Sequence, residues 1–235
     1  MVLTGAGIST PSGIPDFRSP GSGLWENLDP FDVISLTTFH KNPQVFFDWL
    51  YPLAAKLKTA QPNPAHLALS TLEKMGKIQA VLTQNIDGLH QKAGSNEVYE
   101  LHGTLDSMIC PRCAKTYTSQ PFWEPFLEKH ELPVCVTCSA VLKPEIVFFE
   151  EQLPPETWFQ AEEYASAANL IIVVGSSLEV VPANSLPLIA IRHGAHLAII
   201  NRSSTPMDKF ADILIPANIE EVLPLVVDSL QTRIN

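Results

Sequence analysis

Cationic side chains are scarce in this chain: 15 Lys and Arg stand against 25 Asp and Glu, for a net charge of −10. A nucleic acid is thereby excluded as a direct ligand, because phosphate binding needs a basic face, and a basic peptide suits the surface better. Long apolar runs are missing too. Stretches such as 170–174 are strand-length and far short of a bilayer, so no membrane span is expected. Met1 leads straight into Val2-Leu3-Thr4, with no basic segment or apolar region before the first glycine turn. No signal peptide is read there, and cytoplasmic residence is expected. What is present is ordinary for a globular protein: 46% hydrophobic and 17% charged residues in 235 positions, enough for one substantial core and a small satellite.

Cysteine is nearly absent, and its placement is informative. All four cysteines fall in two C-x-x-C pairs, Cys110/Cys113 and Cys135/Cys138. Each pair can present two thiolates to one side of an ion, and two pairs complete a tetrahedral four-cysteine zinc site. Two disulfides are the competing reading, but a reducing compartment and tight turns such as Cys110-Pro111-Arg112-Cys113 favour metal. Four thiolates leave no position for water, so the zinc is expected to be structural and the chemistry to lie elsewhere.

Residues 1–4, 79–83, 98–101, 170–174 and 196–200 read as buried strands, alternating with helical patterns at 43–58, 64–75, 154–167 and 186–192. The fold class is α/β with a parallel sheet. Ile219, Val222, Leu223, Val226, Val227 and Leu230 repeat at helical spacing, although Pro224 obscures where that helix starts. The stretch 11–30 is rich in Pro, Gly, Ser and Asp and too long for a plain connection, which predicts a functional loop. Residues 106–142 break the α/β rhythm around the cysteines. They are expected to form a small zinc module inserted into a discontinuous domain of residues 1–105 and 143–235.

Gly5-Ala6-Gly7 follows the first strand, where small residues let backbone amides approach a pyrophosphate. Thr10 replaces the last glycine of the usual fingerprint, so a purely structural turn remains an alternative. Gly175-Ser176-Ser177 follows another strand, and two such turns in one sheet suggest a dinucleotide crevice. Asn201 lies after the 196–200 strand, either as a ribose ligand or as a turn residue. Gln84, Asn85, Ile86 and Asp87 end one strand, and His102-Gly103 ends the next, both where open α/β sheets bind ligands. His102 is a candidate general base among seven histidines. Arg18 could bind phosphate, with Asp16 either orienting it or capping the loop.

Taken in order, GAGIS, GIPDFRS, TQNID, LHG, the two C-x-x-C pairs, KPEIVFF and GSSLEVVPA resemble the sirtuin family of NAD-dependent protein deacylases over essentially the whole chain. The chain most resembles the bacterial and archaeal protein-lysine deacetylases of that family. The resemblance implies a Rossmann-like parallel sheet with helices on both faces plus a small zinc-ribbon-type module. It also implies cofactor contacts from Gly5, Ala6, Thr10, Asp16, Arg18, Gln84, Gly175, Ser176, Ser177 and Asn201, with Ile219 near the adenine. Nicotinamide would lie against Ile86 and Asp87, Asn85 would orient its ribose, Phe17 would exclude water and His102 would be the base. Acetylated lysine in proteins or peptides would be the partner, pairing with Ile146, Val147, Phe148 and Phe149. Nicotinamide, free lysine and O-acetyl-ADP-ribose would be the products.

Three departures from the family pattern stand out. Met1 begins the first strand where most members carry a preceding helix, which suggests a truncated or late-assigned start and an uncovered apolar face. The usual Phe-Phe-Gly-Glu reads Phe148-Phe149-Glu150-Glu151, with a side chain where a permissive glycine is customary. Desuccinylating members resemble one another in a Tyr and an Arg three residues apart, and Leu50 and Leu53 fall at those positions here. Neutral acyl groups are therefore expected. A mono-ADP-ribosyltransferase or NAD glycohydrolase using the same site is the alternative, ahead of a non-catalytic zinc-ribbon interaction protein. The sequence leaves the oligomeric state open.

Overall fold

Short runs of branched aliphatic residues alternate between two buried faces. The computed structural model describes residues 1–234 apart from Pro20, Ser22 and Asn27. Its strands are β1 (Val2–Thr4), β2 (Val81–Thr83), β3 (Val98–Glu100), β4 (Gly103–Ile109), β5 (Thr116–Thr118), β6 (Lys143–Ile146), β7 (Leu170–Val174), β8 (His196–Ile200) and β9 (Ile213–Ile215). The helices are α1 (Pro30–Val33), α2 (Leu36–Lys41), α3 (Pro43–Thr59), α4 (Pro64–Lys74), α5 (Leu89–Lys92), α6 (Gln120–Lys129), α7 (Pro155–Ala167), α8 (Leu186–Arg192) and α9 (Ile219–Ile234).

Six strands form a parallel sheet in the order β3-β2-β1-β7-β8-β9. Successive side chains along a strand point to opposite faces. Accordingly Leu3, Leu82, Val173 and Ile199 pack with Ala161 and Ala165 of α7 and Leu186 and Ala190 of α8. Val2, Val81, Val174 and Ile200 pack on the other side with Leu69 and Leu72 of α4 and Leu223 and Val227 of α9. Covering both faces is what lets strands of nearly continuous apolar residues exist. The chain winds outward from β1 through β2 to β3 and returns to β7 on the opposite flank. The β1/β7 junction is therefore the topological switch point, where sheets of this class open a crevice at the strand C-termini.

The expected elements at 170–174, 186–192 and 196–200 match the structure residue for residue, while the strand read at 79–83 shortens to Val81–Thr83. Pro224 lies inside α9, where its missing amide frees a single carbonyl near the helix start. The edge strand β9 has no counterpart among the elements read from the sequence. It has three residues and no alternation to reveal it.

β5, β4 and β6 form a separate antiparallel sheet that carries the cysteines. The two C-x-x-C turns repeat one backbone pattern. Ala114 donates to the Cys110 carbonyl at 2.9 Å and Ser139 to the Cys135 carbonyl at 2.8 Å, each from a left-handed conformation with φ near +57° or +58°. Between the sheets, α3 buries Phe46, Phe47 and Leu50 in an aromatic cluster with Phe39, Phe126 and Phe148.

Candidate active site

Register fixes the site. Glu100, Thr83, Thr4, Val174, Ile200 and Ile215 form one row across the sheet. The residues that follow, Leu101-His102, Gln84-Asn85, Gly5-Ala6, Gly175-Ser176 and Asn201, therefore emerge along a single edge. At the switch point the two glycine turns interlock: Gly7 donates to the Gly175 carbonyl at 2.8 Å, and a Cβ on Gly7 would lie 2.8 Å from that same oxygen. Glycine is required there for backbone to approach backbone. The amides of Ala6, Ser176 and Ser177 have no hydrogen-bond partner among the described residues, and Gln84 Nε2 bridges the turns by donating to Ser176 Oγ at 2.9 Å. Unpaired amides at strand ends are what an anionic pyrophosphate needs. Asn201 donates to the Ser203 carbonyl at 2.8 Å, while Ile219 is buried in the core at the first position of α9.

Beside this rim a cavity of about 710 Å³ is lined by Ala6, Phe17, Arg18, Gln84, Asn85, Ile86, Asp87 and His102, together with Ile146, Val147, Phe148 and Phe149. Gly5, Thr10, Asp16, Gly175, Ser176, Ser177, Asn201 and Ile219 do not line it. The first seven lie along the rim and loop, and Ile219 lies in the core. Asp16 accepts the amides of Arg18 at 3.0 Å and Ser19 at 2.7 Å, a local cap, while Arg18 reaches across to pair with Glu179 at 2.9 Å. Phe17 stacks on Trp25, which stacks on Trp49 of α3, giving the cavity an aromatic wall.

His102 Nδ1 lies 2.9 Å from the Gln84 carbonyl. A carbonyl can only accept, so the proton sits on Nδ1 and Nε2 keeps its lone pair. Burial pushes the imidazole pKa below its ordinary 6.5, and the Gln84 bond only partly offsets this. Nearby, Ser9 Oγ donates to Asp87 Oδ2 at 2.6 Å, and Asn85 Nδ2 donates to Ser9 Oγ and to the Gly5 carbonyl, both at 3.1 Å. His66 accepts the Asn63 amide at Nδ1, 3.3 Å away, which leaves Nε2–H directed at Ser9 Oγ over a long 3.5 Å. Burial lowers the His66 pKa to about 4 against the pull of Asp87, and lowers that of His90, which meets Thr4 Oγ1 at 3.0 Å, to about 3.

Sequence reasoning passed over Ser9, His66 and His90, although Asn63-Pro64 is a recognisable helix start. It also passed over Lys143, whose buried ammonium pairs with Glu151 at 2.8 Å and donates to the Ile146 carbonyl at 2.8 Å. Three amides of this segment are already paired, Val147 donating to His102 O, Phe148 to Glu151 Oε2 and Phe149 to Ile34 O, while the Val147 carbonyl accepts no hydrogen bond among the described residues. The amides of Glu150, Gln152 and Leu153 are unpaired among the described residues as well, so free main-chain groups run from Val147 to Leu153.

The four cysteine sulfurs lie within 4.8 Å of one another, with Cys110–Cys138 at 3.4 Å and Cys113–Cys135 at 3.6 Å. These separations are too long for disulfides and suit a tetrahedron of roughly 3.8 Å edge built on Zn–S bonds of about 2.3 Å. The donor set therefore fits a structural zinc ion.

A polar rim at the switch point, a neutral histidine over an apolar cavity and a thiolate tetrad define a dinucleotide-dependent enzyme with a metal-stapled module. The Sir2 family model matches residues 5–182, and the chain belongs to that family. It is 46% identical over 232 residues to the NAD-dependent protein deacylase 2 of Archaeoglobus fulgidus, covering 98% of this chain and 90% of that protein. It is 45% identical over 233 residues to the NAD-dependent protein deacetylase of Sulfurisphaera tokodaii, covering 99% and 91%. A solved structure of a Sir2 protein with a p53 peptide and NAD+ superposes with a TM-score of 0.89 at 42% identity, covering 98% of this chain and 92% of that one.

Proposed function

We propose that this chain is an NAD-dependent protein-lysine deacetylase that transfers the acetyl group to ADP-ribose and releases nicotinamide. The observation that carries the reading is the convergence of the free rim amides and a neutral, Nδ1-protonated His102 on one apolar cavity. NAD supplies the electrophilic ribose carbon and the nicotinamide leaving group. Ala6, Ser176 and Ser177 offer amides to the pyrophosphate, and Arg18 offers a cation once released from Glu179. Gly5, Thr10, Asp16, Gln84, Gly175 and Asn201 complete the cofactor set, and Ile219 supports it from beneath. Ile86 and Asp87 face the nicotinamide end, and Asn85, oriented by Gly5 and Ser9, meets the ribose.

His102 Nε2 is free to take one proton from a hydroxyl in the cavity, while Gln84 holds the ring through Nδ1. Phe17 and the stacked Trp25 keep water from the reacting carbon. Ile146, Val147, Phe148 and Phe149 wall the acyl-lysine channel. The peptide main chain pairs with this segment through the free groups between Val147 and Leu153, giving affinity with limited side-chain selectivity. Residues 106–142 form the inserted zinc module, a division supported by the thiolate cluster, although β4 and β6 of its sheet extend past these bounds to Gly103 and Ile146. No helix of the described residues is long and apolar enough to cross a membrane. Cytoplasmic residence belongs to this reading and is supported by thiols arranged for metal rather than for disulfides.

Nicotinamide release provides the test. Release that requires an acetyl-lysine peptide supports deacetylation, whereas equal release without peptide would mark a glycohydrolase.

A further inference from the structure

Glu150 holds φ at +76°, a left-handed conformation that disfavours side chains. Such a residue persists when its surroundings over-determine it. Here they do: Glu150 Oε2 accepts the Thr37 amide at 2.8 Å, and Oε1 accepts the Thr37 hydroxyl at 3.0 Å. The adjoining backbone is held as well, since Phe149 donates to the Ile34 carbonyl at 2.9 Å and Leu36 donates to the Phe149 carbonyl at 3.2 Å. The carboxylate is thus fixed at the cavity mouth, within the run of free main-chain groups between Val147 and Leu153.

Charge separates Glu150 from its neighbours. Glu151 is neutralised by Lys143 at 2.8 Å, whereas Glu150 meets no cation among the described residues. Thr37 satisfies part of its hydrogen-bonding capacity and none of its charge. A pre-oriented, exposed and uncompensated anion can meet a flexible cation at little cost in side-chain ordering.

The geometry points to Glu150 as a specificity-determining residue that selects acyl-lysine peptides carrying Lys or Arg beside the acylated residue. This rests on the deacetylase reading and adds the charge of the preferred peptide. The mechanism acts on binding: it lowers KM for basic peptides and leaves kcat and the NAD requirement unchanged. Because the anion is solvent-exposed, the preference weakens as salt rises.

The test uses acetyl-lysine peptides that differ only in having Arg, Ala or Glu at each of the two positions on either side of the acetyl-lysine. Binding by fluorescence anisotropy and turnover with NAD are both measured, at low and high salt. At one or more positions the wild type should favour Arg over Glu by about 5-fold in Kd and KM at low salt, the scale of an exposed ion pair. Glu150→Gln keeps both Thr37 contacts, its oxygen accepting the amide and its NH2 donating to the hydroxyl, but removes the charge. It should flatten the ranking of Kd and KM across the peptides, and Glu150→Gly should flatten it too. An unchanged Arg-over-Glu ranking in Glu150→Gln, no ranking in the wild type, or no peptide binding at all would overturn the inference. Charge-ranked binding without NAD-dependent turnover would instead overturn the deacetylase reading and leave the role of Glu150 standing.

Discussion

His102 illustrates how one hydrogen bond sets a catalytic state. With Nδ1–H committed to Gln84 and burial opposing the imidazolium, the ring presents a basic Nε2 near neutral pH. His102→Ala should lose at least about 100-fold in kcat while NAD binding by calorimetry largely survives. Because burial lowers the His102 pKa, the acid limb of kcat/KM in the wild type should fall below pH 6.5; a limb well above that value would contradict the assignment. Acyl choice is also decided by single residues. Arg18 is the one Lys or Arg lining the cavity among the described residues, and Glu179 already engages it. A buried succinyl carboxylate without a partner costs several kcal/mol, so acetyl-lysine turnover should far exceed succinyl-lysine turnover. Leu53 lines the cavity, whereas Leu50 is fully buried in the aromatic cluster. Leu53→Arg alone should therefore raise succinyl activity, and adding Leu50→Tyr should cost stability through overpacking, as matched kcat/KM values and melting curves would show.

Among the elements, the zinc module depends most on something outside the polypeptide. Its three-stranded sheet and the small cluster of Met108, Cys110, Cys135 and Leu142 offer little core of their own. Cys135→Ser should release the metal and unfold this module, seen as lost zinc by elemental analysis and lost protection of β4 and β5 in hydrogen exchange. Metal-free protein with full protection and activity would contradict a structural zinc. The elements also show what local sequence can disclose. The cysteine pairs, the glycine turns and the strands at 170–174 and 196–200 carry their signals within a few residues. The Ser9–His66 and Thr4–His90 contacts join positions 57 and 86 apart, and the Glu150–Thr37 contacts span 113. Sequence spacing has no means of expressing such pairings. Glu150 was visible as a departure from the family pattern, but the partner that explains it emerged only from the fold.

At the scale of the whole molecule, stability should depend on pH through two buried histidines. His66 and His90 are held neutral by burial, with pKa values near 4 and 3 in the fold against an ordinary 6.5. Between pH 6.5 and about 4 the unfolded chain binds more protons than the folded one, so stability falls as pH drops. Each histidine loses on the order of 1 kcal/mol per pH unit over that range, so their combined loss reaches several kcal/mol by pH 4. Urea titrations at pH 7 and pH 4.5 would measure it, and His90→Gln should flatten the slope. Glu100, whose pKa burial raises to about 7, contributes the opposite sign, so a slope that His90→Gln leaves unchanged would mean that this ring is charged in the fold.

The whole-molecule claim is that sheet, cavity and zinc module together move an acetyl group from lysine to ADP-ribose. Mass spectrometry of an acetyl-lysine peptide incubated with NAD and the zinc-loaded protein tests this most directly. The expected products are a peptide lighter by one acetyl group and an equimolar acetylated ADP-ribose, both abolished in His102→Ala. A peptide made heavier by an ADP-ribosyl group, with its acetyl retained, would contradict it.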